Sequence, residues 1–173
     1  MKIKHLLYSS MAIIVGLIGA KAVGAFEITE SQKAVICQLQ EGAKKAENLG
    51  YELVYWPVVN RALSAARAPI RLRLHSGVEY VFIGYCDDNC TDANLFLSNA
   101  EGEVVAADEE SDDFPTISYT ADEGAVYEIA LQVSDCSSEE GCMYGMGILA
   151  KKGANAPNTS RLPSSLAQFQ VCD

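Results

Sequence analysis

The sequence predicts a mainly β protein, an antiparallel β-sandwich with an N-terminal α-helix, and three observations carry that reading. Behind the leader, apolar residues keep a sustained helical spacing over one segment, before Gly50. From Pro69 onward six or seven short stretches favour strands, several alternating apolar with polar. Turn signals such as Ala-Glu-Gly102 and Asp-Glu-Gly124 separate those stretches with no helical period between them.

Residues 1–25 read as a secretory leader. Lys2 and Lys4 precede the apolar stretch Met11 to Gly19, and the small residues Val23, Gly24 and Ala25 place cleavage before Phe26. A periplasmic or secreted mature chain is expected. No later stretch reaches the roughly 20 apolar residues that a spanning helix needs. A bacterial lipid anchor is not expected either, because the first cysteine is Cys37.

Thr29-Glu-Ser-Gln32 reads as a capping box, and Val35, Leu39, Ala43, Ala46 and Leu49 follow at helical spacing, so a helix should end near Gly50. Cys37 lies roughly 200° round that helix from Val35, off the apolar stripe and able to meet another segment. Residues 51–68 admit a second helix starting at Pro57 or a strand near Arg61 to Ser64, and the strand is preferred. Their aromatic residues Tyr51, Tyr55 and Trp56 are read as packing between helix and sheet, with stacking on a carbohydrate or peptide as the alternative.

The first strand places Ile70, Leu72 and Leu74 on one face and Arg71, Arg73 and His75 on the other. Val78 to Tyr85 is apolar on both faces and reads as a central strand. Ala93 to Ser98, Glu103 to Ala107, Thr116 to Tyr119, Ala125 to Ser134 and Met143 to Lys151 complete the set. In Ala125 to Ser134, Tyr127, Ile129, Leu131 and Val133 should face inward, and Glu128, Ala130 and Gln132 outward. The stretch 153–165 reads as loop, with Leu166 to Cys172 returning to the body. The expected organisation is therefore a leader over 1–25, a helical segment over 26–68 packed on the sandwich, and the sandwich with its tail over 69–173.

Loss of the leader removes Lys2, Lys4 and Lys21 and no acid, so 10 basic residues face 23 acidic ones and the mature charge is −13. Nucleic acid and anionic membranes need a cationic face and are disfavoured as partners. A monomer whose partner is a protein or polysaccharide in the envelope or outside the cell is expected. An even set of six cysteines in an exported chain reads as a disulfide framework. Local pairing, Cys86 with Cys90 and Cys136 with Cys142, is the economical arrangement, and Cys37 with Cys172 would then tie the helix to the tail. Cross-pairings such as Cys86 with Cys142 stay open, and a zinc site is the rival use of the same residues.

The segment from Leu72 to Lys151 resembles the bacterial pre-peptidase C-terminal domain. The resemblance is carried by Ser76-Gly-Val-Glu-Tyr-Val-Phe82, Cys86-Asp-Asp-Asn-Cys-Thr-Asp-Ala-Asn-Leu95, Asn99-Ala-Glu-Gly-Glu-Val-Val105, Asp108 with Asp112 and Pro115, and Gly124-Ala-Val-Tyr127. It implies a jelly-roll-like sandwich with an accessory or binding role and no catalytic residue. The acidic segment Asp92-Ala-Asn-Leu95 departs from that family's usual Asp-Leu-Asp-Leu.

If the strands alternate in direction, the loops after Tyr85, Ala107 and Ser134 leave one end of the sandwich and bring 11 of the 23 acids there. Such a cluster needs a cation, a basic partner or solvent screening. A Ca²⁺ site would draw on Asp87, Asp88, Asn89, Asp92, Asn94, Asp108, Asp112 and Asp113, since Ca²⁺ takes six to eight oxygens. A solvated acidic rim is the other reading, favoured by the lack of EF-hand spacing.

A histidine-based hydrolase would have to use His75, the single imidazole after the leader, which shares a face with Arg71 and Arg73. A paired-carboxylate glycan hydrolase would need aromatic platforms, and the acidic loops offer only Phe114. A non-enzymatic binding or accessory module is the expectation. A calcium-stabilised envelope protein ranks second and a carboxylate-based glycan hydrolase third.

Overall fold

The computed structural model describes residues 28–156 and Cys172; the leader, its cleavage site and most of the C-terminal tail lie outside the described residues. One helix, α1 (Glu30–Asn48), precedes nine strands: β1 (Tyr51–Leu53), β2 (Val58–Ala62), β3 (Arg67–Arg73), β4 (Glu79–Cys86), β5 (Cys90–Ser98), β6 (Val104–Asp108), β7 (Thr116–Thr120), β8 (Val126–Cys136) and β9 (Cys142–Lys151). The first sheet runs β1-β9-β4-β7, with β2 also on β9, and the second runs β3-β8-β5-β6. All pairings are antiparallel. With β2 at the edge of the first sheet, β2 to β9 make the eight-strand order of a jelly roll, in which the chain crosses between sheets at every turn except β5–β6.

Period-two burial builds the core. Tyr127, Ile129, Leu131 and Val133 of β8 meet Tyr80 and Phe82 of β4 and Leu95 and Leu97 of β5, all nearly inaccessible to water. Ala130 is buried too, although it lies on the outward register of β8. There it pairs with Pro69 and with Phe96, whose ring lies 4.0 Å beneath the Arg67 guanidinium.

Residues 51–68 hold no second helix. They contribute β1 and β2 to the first sheet and the start of β3 to the second, so the segment 26–68 supplies strands as well as the helix. The preferred strand lies slightly earlier than expected, because Arg61 and Ala62 already reach the end of β9 opposite Met143 and Cys142. Trp56 is exposed in the β1–β2 connection, and Tyr55 donates from its hydroxyl to the Arg73 carbonyl.

The helix forms over the span read, although Leu49, the last residue of the expected stripe, is its exposed C-cap. Thr29 Oγ1 accepts from the Gln32 amide while Gln32 Oε1 accepts from the Thr29 amide, and the helix ends just before Gly50, which takes φ +88°. Its stripe Val35, Leu39, Ala43 and Ala46 packs on Ile83, Met143 and Leu149 of the first sheet. Gly145 of β9 allows the close approach, and Gly147 beside it meets the helix at ordinary contact distance. A Cβ on Gly145 would lie 2.5 Å from both Leu39 Cδ1 and Val35 Cγ1, and one on Gly147 would lie 3.7 Å from Leu39 Cδ2. The Cys37–Cys172 disulfide, spanning 135 residues of chain, fastens the same helix to the tail.

Candidate functional site

Four crossings between the sheets occur at the end where β9 begins: β2–β3, β8–β9, β4–β5 and β6–β7. By the strand order they lie side by side in that sequence across the sandwich. Three of them, the acidic ones, are hydrogen-bonded through the β4–β5 turn and its neighbours. Asn89 O accepts from the Ser137 amide at 2.9 Å, Met143 O accepts from the Asp87 amide at 2.9 Å, Asp113 O accepts from the Cys86 amide at 3.3 Å and Asp112 O accepts from the Ala93 amide at 2.8 Å. The acidic loops therefore share one pole.

Aspartate does specific work there. Asp87 Oδ1 accepts from the amide two residues on, Asn89, at 3.2 Å, and Asp87 Oδ2 accepts from the Met143 amide of β9 at 2.9 Å. Asp108 repeats the pattern, with Oδ1 on the Glu110 amide at 3.2 Å and Oδ2 on the Thr116 amide at 2.7 Å. Asp112 Oδ1 caps the Phe114 amide at 3.0 Å. Each is a carboxylate closing an Asx turn, a geometry that the shorter aspartate side chain makes and glutamate does not. Asp87 is the one polar side chain buried among the described residues, and both its oxygens are engaged.

The eight residues read as a cation set fall into groups. Asp87, Asp108 and Asp112 cap main-chain amides, while Asp88 and Asn89 are exposed at the β4–β5 turn. Asp113 is half-buried in the β6–β7 loop. Asp92 and Asn94 stand two residues apart on β5, where Asn94 Nδ2 donates to Ser134 Oγ at 2.8 Å. Asp92 Oδ1 and Asn94 Oδ1 are buried without a hydrogen-bond partner. Among the described residues no group of three or more His, Cys, Asp or Glu side chains is arranged to hold a metal ion.

Two disulfides brace the pole, Cys86 with Cys90 and Cys136 with Cys142, and Cys90 sits opposite Cys136 across β5 and β8. With Cys37–Cys172 they engage all six cysteines. His75 lies away from the pole, its Nδ1 2.6 Å from the Asn155 carbonyl. Tyr85, beneath the helix on β4, has its phenol pKa raised chiefly by burial, with Lys45 opposing. On β7, burial and the neighbouring Tyr127 phenol push Tyr119 up to about 12.

One feature of charge escaped the reading by motif. Residues 74–150 contain 17 of the 23 acids and no lysine or arginine. Every cation of the described strands other than Lys151 lies on β2 or β3, so β6, β7 and the segments that join and flank them carry acids and no lysine or arginine. A running charge count would have revealed it without any structure.

Fold and pole together define a disulfide-braced jelly-roll sandwich with one anionic end. No family model matches the sequence, and no curated protein matches it. Among solved structures, the chain is similar to the pre-peptidase C-terminal domain of a collagenase from Bacillus anthracis, at 8% identity and TM-score 0.42, over 55% of this chain and 89% of that one. It is also similar to a glycosylation-associated protein complex, Gap123, from Streptococcus agalactiae, at 16% identity and TM-score 0.34, over 62% of this chain. This chain spans 41% of the latter's length. The first of these is a domain of the family that Leu72 to Lys151 resembles; the architecture itself rests on strand order and register. Three disulfides fit an extracellular or periplasmic protein, and no helix among the described residues is long and apolar enough to cross a membrane.

Proposed function

We propose that the mature chain, residues 26–173 after cleavage near Ala25 and Phe26, is an exported, monomeric, non-enzymatic binding or accessory module. Its partner is a protein or polysaccharide of the envelope or the medium, met at the acidic pole. The observation that carries this is the gathering of three acidic loops at one rigid end. Their structural carboxylates are engaged with amides, while Asp88, Glu109, Glu110 and Glu139 are exposed. A carboxylate with both oxygens occupied by main-chain amides is an anchor for its loop, which supports a binding role over carboxylate-based glycan hydrolysis.

The test is capture from envelope extracts on immobilised mature protein, against a variant carrying Asp88→Asn, Glu109→Gln, Glu110→Gln and Glu139→Gln. Salt-sensitive capture by the native chain alone supports the reading, and the same captured set on both columns overturns it. Release of reducing sugar from envelope polysaccharide would establish the hydrolase instead.

The orphaned oxygens of Asp92 and Asn94 favour calcium as a second reading, since a cation would satisfy both. They are two of the six to eight oxygens required, so exposed neighbours and water would complete the shell. Calorimetry with CaCl₂ should then give heat and a higher melting temperature; neither at millimolar calcium removes the idea.

A further inference from the structure

The five edge strands of the sandwich are protected unequally, and β2 is a short one that carries the charge of Arg61. β3 carries Pro69 and the charges Arg67, Arg71 and Arg73, devices that keep an open edge from pairing. β1 is three residues long, and β6 meets β5 across a register shift at Ser98. β7, Thr-Ile-Ser-Tyr-Thr, has no proline, no charge and no bulge.

The register fixes which of its main-chain groups are open. Gly84 donates to the Pro115 carbonyl and Ala121 donates to the Val78 carbonyl, each at the end of the β4–β7 ladder. In an antiparallel pair the bonded positions alternate, so Ile117 and Tyr119 also face β4, and Thr116, Ser118 and Thr120 turn their amides and carbonyls outward. The Thr116 amide confirms this by reaching Asp108 Oδ2 instead of β4. Among the described residues no strand other than β4 pairs with β7.

We propose that β7 receives an extended basic segment of a partner protein as an added strand, through the outward main-chain groups of Ser118 and Thr120. Charge selects the occupant. Asp112 and Asp113 precede the strand, Asp122 and Glu123 follow it, and no lysine or arginine lies between Arg73 and Lys151. A second copy paired antiparallel through β7 would set acid against acid at both ends, whereas lysine or arginine flanking an extended segment would meet an acidic group at each. The inference goes beyond the pole reading, since the edge lies on the flank, and its failure would leave capture at the pole untouched.

The probe is a seven-residue peptide of alternating threonine and valine with a lysine at each end, titrated into isotopically labelled mature protein; its twin carries glutamate at each end. Saturable binding of the lysine peptide should slow exchange of the Ser118 and Thr120 amides about tenfold or more. It should spare the Ile117 and Tyr119 amides, which already face β4, and weaken as salt is raised. The glutamate peptide should not bind. Ser118→Pro, which removes an outward amide and no ladder bond, should abolish binding at an unchanged melting temperature. Should that variant unfold, Asp113→Asn with Asp122→Asn and Glu123→Gln decides, with an expected loss of affinity of about tenfold. No binding of the lysine peptide, protection elsewhere, equal binding of the two peptides, or self-association that protects the same amides would overturn the proposal.

Discussion

The face of the first sheet beneath α1 and the acidic pole are both rigid, for opposite reasons. Under the helix, order comes from apolar burial, with Val35 and Leu39 seated over Gly145 where a larger side chain would collide. At the pole, loops rich in like charge are held by aspartates accepting main-chain protons, with two short disulfides as braces. Charge that would otherwise repel is partly converted into hydrogen bonding. The pole can therefore be acidic and ordered together.

The comparison breaks most sharply at its covalent anchor. Replacing Cys37 and Cys172 by serine opens a loop of 135 residues, and the chain-entropy relation assigns such a crosslink roughly 4–5 kcal/mol. Removing Cys86–Cys90, with a separation of 4, should cost distinctly less. Urea unfolding of the two double variants measures both, and equal losses would mean that the long crosslink adds no more than a loop brace.

Next in size is the packing itself. Leu39 is 3% exposed and its Cδ1 methyl group lies against Gly145, which has no side chain to move into the space that Leu39→Ala leaves. A loss of about 3 kcal/mol is expected, within the usual span for a buried leucine. The pole answers with Asp87→Ala, which strands the Met143 and Asn89 amides and should cost about 1–3 kcal/mol. A loss at Asp87 as small as an exposed acid gives would show that its two hydrogen bonds are replaced by water.

The two regions also differed in how much of them could be read in advance. The helix, its capping box and the inward face of β8 follow from period and cap residues, because those signals sit within a few positions of one another. The gathering of the acidic loops follows from strand alternation, and local cysteine spacing points to Cys86–Cys90 and Cys136–Cys142. Three matters were not legible. Tyr51–Leu53 is too short for a period and is a strand only because β9 lies opposite it. The aspartates of the cation set look alike in the chain, yet Asp87 is buried and Asp88 exposed, a division that needs the Met143 amide of a strand 56 residues away. The open edge at β7 is invisible until one knows that, among the described residues, β7 pairs with β4 alone and that β3, not β7, holds the proline and arginines.

The smallest expected effect separates the engaged acids from the exposed ones. Glu109 and Glu110 are exposed, and neither carboxylate makes a hydrogen bond or ion pair among the described residues, so neutralising both as Glu109→Gln and Glu110→Gln removes repulsion and no bond. Stability should stay level or rise by up to about 0.5 kcal/mol at low ionic strength, and the gain should vanish in roughly 0.5 M salt, where charges are screened within a few ångströms. The matching substitution Asp108→Asn keeps an acceptor for Glu110 or Thr116 but turns an amide proton toward the other, so it should destabilise at any salt concentration. Thermal melts of both variants across a salt series make the distinction: a salt-dependent gain for the glutamates beside a salt-independent loss for Asp108 means that the pole contains two kinds of carboxylate, one that builds it and one left for what it meets. Identical behaviour of the two variants would reduce the pole to a single field of interchangeable charge.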